Sequence, residues 1–492
     1  MTSYVTVLFL FFVLSITTSF CLQEMEILQM AKSQVSQAMN WVDNSMKLHG
    51  LESLSMSSLN QTSALALRDC AKLYEESEFR LSHMMFEKSK SGYTKDDALI
   101  WVSALMTNHR TCLHGLKEKG YVQDNQILGT NLTSLLGQIL VLYSKNKVKG
   151  KEESERVTIL EEKNGLLESW SVTKHEADLT VAQDGSGSYR TIKEAVDALA
   201  SRGHNRPSRF VIHVKAGVYN EKVEIGSTLH NVMFVGDGID RTVVTGNRNV
   251  KNVGTTLNSA TFDVSGDGFW ARDITFENTA GPQSHQAVAL KVSSDLSVFY
   301  RCSFKAYQDT LYLFSNRQFY RDCHIYGTID FIFGDAAAVL QNCDITVRKP
   351  MSHQSNYITA QGRDNPNEPT GFSIQNCRVR PDSEFATVKN SVETFLGRPW
   401  KRYSRTVFMK SDLDGMVHPK GWGEWEGNFA ISTLYYGEYM NIGDGASTEN
   451  RVNWPGFHVL KSVEEASPFT VSRFLQGGNW ISASGVPFDS GI

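Results

Sequence analysis

The sequence predicts an all-β, right-handed parallel β-helix preceded by an all-α four-helix bundle, and two patterns carry the prediction. In the first, a short apolar segment headed by a cysteine returns as Arg301-Cys302-Ser303-Phe304, Asp322-Cys323-His324-Ile325 and Asn342-Cys343-Asp344-Ile345, at steps of 21 and then 20 residues. Asn376-Cys377-Arg378-Val379 echoes it later, and Arg272-Asp273-Ile274-Thr275-Phe276 is an earlier copy without the cysteine. Repeats of this length, rich in β-branched and aromatic residues and punctuated by Gly, Asn and Asp, belong to a solenoid whose coils stack sideways. In the second pattern, from about Glu24 to Lys147, apolar residues recur at helical spacing.

Taken in order, the 492 residues begin with an apolar run from Val5 to Ile16 followed by small and polar residues. That run is too short to span a membrane and fits a secretory signal peptide over residues 1–20, although no Lys or Arg precedes it. Residues 22–147 hold four apolar stripes. Met25, Leu28, Val35, Met39, Val42 and Met46 form one, and Leu65, Cys70, Leu73, Leu81 and Met84 the next. Leu99, Val102, Leu105, Met106, Cys112 and Leu116 form a third, and Leu132 to Leu142 a fourth. Such stripes are the core of a bundle. Residues 148–176 are charged and without period, as a linker would be, and residues 177–490 carry the solenoid. No later segment reaches 18 apolar residues, so no membrane partner is expected. The solenoid portion is slightly acidic, which disfavours nucleic acid. The 13 His and 7 Cys show no metal-ligand spacing, so neither metal nor organic cofactor is expected.

In a stack of coils, residues one repeat apart lie above one another at about 4.8 Å. Asp309 and Asp330 are 21 residues apart, the step from Cys302 to Cys323, so two carboxylates should face each other on adjacent coils. Gln286 precedes Gln308 by 22 residues, which brings two amides to the same pair. Stacked acids resist joint ionisation and push their pKa values apart, as paired catalytic acids do. The alternative is that these Asp residues cap turns, their commonest work in a loop-rich β protein.

Gln286-Ala-Val-Ala-Leu290, Gln308-Asp-Thr-Leu-Tyr312, Asp330-Phe-Ile-Phe-Gly334 and Leu396-Gly-Arg-Pro-Trp400 resemble, in order and spacing, the signature segments of plant-type pectin methylesterases. The resemblance runs from about Ala177 to Phe488 and includes Gly217-Val-Tyr-Asn-Glu221, Tyr357-Ile-Thr-Ala-Gln-Gly362 and Gly421-Trp-Gly-Glu-Trp425. It implies a secreted, extracellular enzyme of the cell wall that hydrolyses galacturonate methyl esters in homogalacturonan. In that reading Asp330 is the nucleophile, Arg398 its orienting partner, and Asp309 the proton donor and acceptor. Gln308 and Gln286 supply amide donors to the oxyanion, and Thr256 matches a substrate-contacting position. Trp400, Tyr312 and Phe333 are the expected aromatic walls of a sugar groove, and strand alternation puts Phe331 on the same side as Phe333. The resemblance also favours a Cys323–Cys343 disulfide, while Cys302 and Cys377 read as buried small hydrophobes.

Ala66-Leu-Arg-Asp-Cys70 and the segment from Trp101 to Cys112 resemble the pectin methylesterase inhibitor family, which often precedes the esterase in one precursor. Members usually carry two disulfides in this domain; only Cys70 and Cys112 are present here, and they should pair. Asn60-Gln-Thr62 and Asn131-Leu-Thr133 are glycosylation acceptors. The expected partners are pectin, the inhibitor-like domain of the same chain and proteinaceous inhibitors. Two other readings stay open: a glycoside hydrolase or calcium-dependent lyase on a pectin-binding solenoid, and a non-enzymatic pectin binder.

Overall fold

The computed structural model describes residues 2–48, 58–89, 92–120, 125–145 and 165–492, apart from 172 and 204. The side chains of residues 1–23 and of Asn60 lie outside the described set, and with them the signal-peptide segment, Cys21 and one glycosylation site. The chain divides into two compact units, Met1–Glu153 and Ser154–Ile492.

The first unit is built from α1 (Thr2–Leu48), α2 (Ser58–Ser89), α3 (Lys95–Glu118) and α4 (Asn125–Lys145). Each helix packs on the next, and α1 returns to α4, which closes the bundle. The buried stripe of α1 is Leu28, Ala31, Val35, Ala38 and Val42, so alanines stand where the sequence reading put Met39 and its fellows; the methionines flank the seam half-buried. Small residues there let the backbones approach, and the longer Met side chains cover the edges. α3 starts at a capping box, in which the Thr94 hydroxyl accepts from the Asp97 N–H at 3.1 Å and the Asp97 carboxylate accepts from the Thr94 N–H at 2.9 Å. Cys70 and Cys112 form the expected disulfide between α2 and α3, with Cα atoms 4.7 Å apart. Asn131 is exposed on α4.

The second unit is a parallel β-helix. Its strands form three sheets of 11, 7 and 8 strands, and every pairing is parallel. One coil runs Ser297–Tyr300, Ser303–Lys305 and Leu311–Leu313, one strand to each sheet; the next repeats it as Arg317–Arg321, His324–Gly327 and Ile332–Gly334. Phe304 pairs with Ile325 and Ile325 with Ile345, so the cysteine-headed repeat of the sequence is the rise of the helix. The step then lengthens: Ile345 pairs with Val379, 34 residues on, because the loops after Val347 and after Gln361 are longer while the strands keep their register.

A left-handed residue marks the corner before each of these repeats. Asp273, Arg301, Asp322, Asn342, Asn376, Lys410 and Met440 all have φ between 48° and 57°. Asp and Asn adopt this conformation readily and Arg, Lys and Met do so at some cost, so the corner is set by the stack rather than by the residue. Inside, equivalent positions stack like on like. Phe299 lies parallel to Tyr320 at 4.9 Å and Phe276 to Phe304 at 5.8 Å. The first coil is closed by the helix Ile192–Ser201, whose Ile192, Ala195, Val196 and Leu199 join the core.

The body begins earlier than residue 177. Leu166 and Leu167 are buried, Gly165 N–H donates to the Ala483 carbonyl at 2.9 Å, and Arg272 Nη1 donates to the carbonyls of Leu167 and Glu168 at 2.6 Å each. The last part of the segment read as linker is thus part of the β-helical unit.

Candidate active site

The register that builds the coils also places the acids. Leu311 pairs with Ile332 and Tyr312 with Phe333, and the Asp309 N–H donates to the Ile329 carbonyl at 3.1 Å. Asp309 and Asp330 therefore stand level on adjacent coils, two residues ahead of paired strands. Both have left-handed backbones, φ 63° and 51°, a conformation that Asp tolerates better than most residues. Both are nearly buried, at 7 % and 6 % exposure. Arg398 follows the strand Thr394–Gly397 two coils further on. Its Nε donates to one Asp330 oxygen at 2.8 Å and its Nη2 to the other at 2.6 Å, a bidentate pair.

The two acids are thereby made unequal. Burial lifts the Asp330 carboxyl above the ordinary carboxylate value, and the hydrogen bonds and charge of Arg398 oppose that lift. Burial and then the Asp330 charge push Asp309 well above its ordinary value, with only the more distant charge of Arg398 working the other way. The arrangement favours an ionised Asp330 beside a protonated Asp309.

Gln308 and Gln286 are half-buried, Gln308 beside Asp309 on its own coil and Gln286 on the coil before it. The Ala287 N–H donates to the Gln308 carbonyl at 3.2 Å, the same offset as from Asp309 to Ile329, so Gln286 stands level with Gln308. Thr256 lies at the head of the short turn Leu257–Ser259. Its loop is tied to the same segment, with Val250 N–H donating to the Gln286 carbonyl at 3.0 Å and Val288 N–H to Ser259 Oγ at 3.2 Å. Tyr312 and Phe333 stack at 4.1 Å, and Trp400 stands edge-on to both at 6.5 and 6.1 Å, half-buried. Trp400 comes this close because Gly362 lies beneath it; a Cβ there would be 2.8 Å from the indole. A surface cavity of about 710 Å³ between Tyr435 and Glu465 contains none of these residues.

Two expectations fail. Phe331 does not share a face with Phe333, because the strand begins only at Ile332 and the left-handed Asp330 turns Phe331 into the fully buried core. Cys323 and Cys343 form no disulfide; they are buried free thiols, as are Cys302 and Cys377. In a parallel stack in register the thiols point the same way, and each faces backbone carbonyls: Cys323 those of Phe299 and Arg321, Cys343 those of Tyr320 and Gln341. Cys343 N–H also donates to Cys377 Sγ at 3.4 Å, and the Cys343 thiol interacts with those of both Cys323 and Cys377.

Two residues beside the acids went unassigned in the sequence. The Arg398 guanidinium lies 4.2 Å from the Tyr357 ring and 4.5 Å from that of Trp425. Both belong to segments of family resemblance, Tyr357–Gly362 and Gly421–Trp425, and that membership was the available signal.

Comparisons agree with this geometry. The pectinesterase family matches residues 178–478, and the plant invertase/pectin methylesterase inhibitor family matches residues 19–142. An Arabidopsis thaliana protein named probable pectinesterase/pectinesterase inhibitor 36 is 49 % identical, over 100 % of this chain and 99 % of its own length. Among solved structures, pectin methylesterase from carrot is 52 % identical with a TM-score of 0.63, over 66 % of this chain and 100 % of that one. Pectin methylesterase from Aspergillus niger is 30 % identical with a TM-score of 0.53, over 61 % and 95 %.

Proposed function

This chain belongs to the pectinesterase family and carries an inhibitor-like domain ahead of its esterase domain, and from that premise we propose that it hydrolyses methyl esters of pectin through an aspartyl acyl-enzyme. The observation that carries the mechanism is the asymmetric pair of acids: one held by Arg398 on both oxygens, the other buried and, among the described residues, without a cation of its own.

An Asp330 oxygen attacks the ester carbonyl carbon, and the carbonyl electron pair moves to its oxygen, which the Gln308 and Gln286 amides stabilise. When that pair returns, the bond to methoxide breaks, and Asp309 gives its proton to the leaving oxygen, releasing methanol. Asp330 is left joined to the galacturonate carbonyl as an anhydride. Asp309, now a carboxylate, takes a proton from water as the water oxygen adds to the galacturonate carbonyl. Collapse returns Asp330 as carboxylate, Asp309 as acid, and the sugar as free galacturonic acid. The stacked pair Tyr312–Phe333 and the edge of Trp400 offer apolar surface to the faces of the sugar rings. We place this activity outside the cell, on wall homogalacturonan, with residues 1–20 as the secretory signal and Asn60 and Asn131 as acceptors of glycans.

The test is methanol release from highly methylated homogalacturonan by the full chain and by its Asp330→Asn variant, with polymer length followed in the same samples. Methanol without shortening, absent from the variant, is the expected result. Shortening of the polymer would point to a hydrolase or lyase instead, and binding without methanol to a non-catalytic role.

A further inference from the structure

We propose that Tyr357 and Trp425 are positioning residues for the esterase reaction, clamping the Arg398 guanidinium between two aromatic faces so that it stays in the plane of the Asp330 carboxylate. The inference rests on Asp330 being the nucleophile. A guanidinium binds carboxylate along its edge, which leaves its two faces to water or to rings. Here the edge is taken by Asp330 at 2.8 and 2.6 Å, and the faces by Tyr357 at 4.2 Å and Trp425 at 4.5 Å.

The clamp is itself supported. Tyr357 stacks on Phe395 at 5.3 Å, and Phe395 packs on His418 at 5.0 Å. The loop bearing Trp425 is fastened to the strand from which Arg398 emerges: Leu396 N–H donates to the Gly421 carbonyl at 2.7 Å, and Gly423 N–H to the Gly397 carbonyl at 3.0 Å. Gly423 allows the loop to pass, since a Cβ there would lie 2.5 Å from the Tyr357 ring. The backbone that delivers the cation thus also fixes both rings against it.

With its faces covered, the guanidinium cannot tilt to share its donors with solvent, and Asp330 keeps both hydrogen bonds while it waits for substrate. Opening one face should weaken those bonds and let the Asp330 pKa rise. The other ionisable groups around this centre are Asp309 and Tyr357, with Glu393 and Glu424 acting on Tyr357 and the buried Tyr436 sensing both Asp330 and Arg398. Burial raises both Asp309 and Asp330, and Asp330 is the one in contact with Arg398.

The experiment is the pH profile of kcat and KM for methanol release by the full chain, its Trp425→Ala, Trp425→Phe and Tyr357→Leu variants, and Asp330→Asn, with thermal unfolding of each. Trp425→Ala should lower kcat by about 3- to 30-fold, the range of one cation–π contact, and move the acid limb to higher pH with KM little changed. Trp425→Phe, which restores a ring, should recover most of both, and Tyr357→Leu should move the same limb in the same direction. A raised KM with an unmoved limb would make Trp425 a sugar-stacking residue and overturn the proposal. So would a loss that is uniform across pH and tracks a lower melting temperature. Turnover surviving in Asp330→Asn is a separate failure, since it would remove the nucleophile and leave the geometry of the clamp untouched.

Discussion

Among the described residues, five bidentate arginine–carboxylate pairs sit on this β-helix with similar bond lengths, and of the three most buried only one belongs to the proposed active site. Asp295 accepts from Arg317 Nε at 3.0 Å and Nη2 at 2.6 Å, and also from the Arg317 backbone N–H at 3.0 Å. Glu438 accepts from Arg451 at 2.7 and 3.0 Å and from the Trp422 indole at 3.2 Å. Both pairs are all but excluded from solvent. Asp330 accepts from Arg398 alone among the described residues, and a second carboxyl stands beside it. The salt bridge therefore does not distinguish the carboxylate proposed as nucleophile. Lone pairs left free, an acid one coil away and an opening to the aromatic groove do.

The sharpest test of that contrast replaces each acid by its amide. Asp330→Asn should cut turnover on the order of 10⁴-fold or more, as loss of a nucleophile does, with little change in unfolding. Asp295→Asn should do the reverse. It strands Arg317 in the interior at a cost of about 3–5 kcal/mol, while the protein that remains folded keeps its kcat. Denaturant unfolding beside methanol release separates the two, and equal stability losses would erase the distinction.

Asp309→Asn comes next. Loss of its proton transfers should lower kcat about 10²- to 10⁴-fold. Its stability effect has a sign that can be worked out. A carboxyl whose pKa is raised on folding is at no disadvantage below its unfolded pKa and costs stability as pH rises through its folded one. The amide removes that cost, so the variant should melt higher than the parent at neutral pH and alike near pH 3. For the parent, activity should rise as Asp330 ionises, above the ordinary carboxylate range, and fall again at higher pH as Asp309 loses its proton. Arg398→Lys exchanges a planar fork for a point charge. Losing one charge-assisted hydrogen bond should cost about 10- to 100-fold in kcat and move the acid limb upward.

Much of this was legible in the sequence, because in a parallel solenoid spacing is position. The 21-residue step shared by the cysteines and the acids placed Asp309 over Asp330. Where the step changes, spacing alone no longer gives position: Cys377, 34 residues after Cys343, was recognised as an echo of the repeat by its neighbouring residues. Local backbone also defeated alternation, since left-handed Asp330 sends Phe331 inward. The Cys323–Cys343 bridge was allowed by Cα spacing, but the parallel stack aims both thiols at carbonyls. Tyr357, Arg398 and Trp425 come from a strand, the end of another strand and a loop, with no common period, so their meeting could be seen only once the chain was folded.

The smallest expected effect closes the comparison from the other side. Arg378 pairs with Asp344 through the same two atoms, at 2.6 and 2.7 Å, on neighbouring coils of the 8-stranded sheet. By distance alone it equals the Arg398 pair. Yet its side chain is 65 % exposed, where water and salt replace most of what the contact supplies, and such pairs are worth about 0–1 kcal/mol. Arg378→Ala should leave kcat and its pH limbs in place and shift unfolding by no more than that amount, less still in 0.5 M salt. A larger loss would mean that bond length does rank these pairs after all. A null effect leaves solvent access, together with a neighbouring acid and unfilled lone pairs, as what separates a structural pair from a catalytic one on the same scaffold.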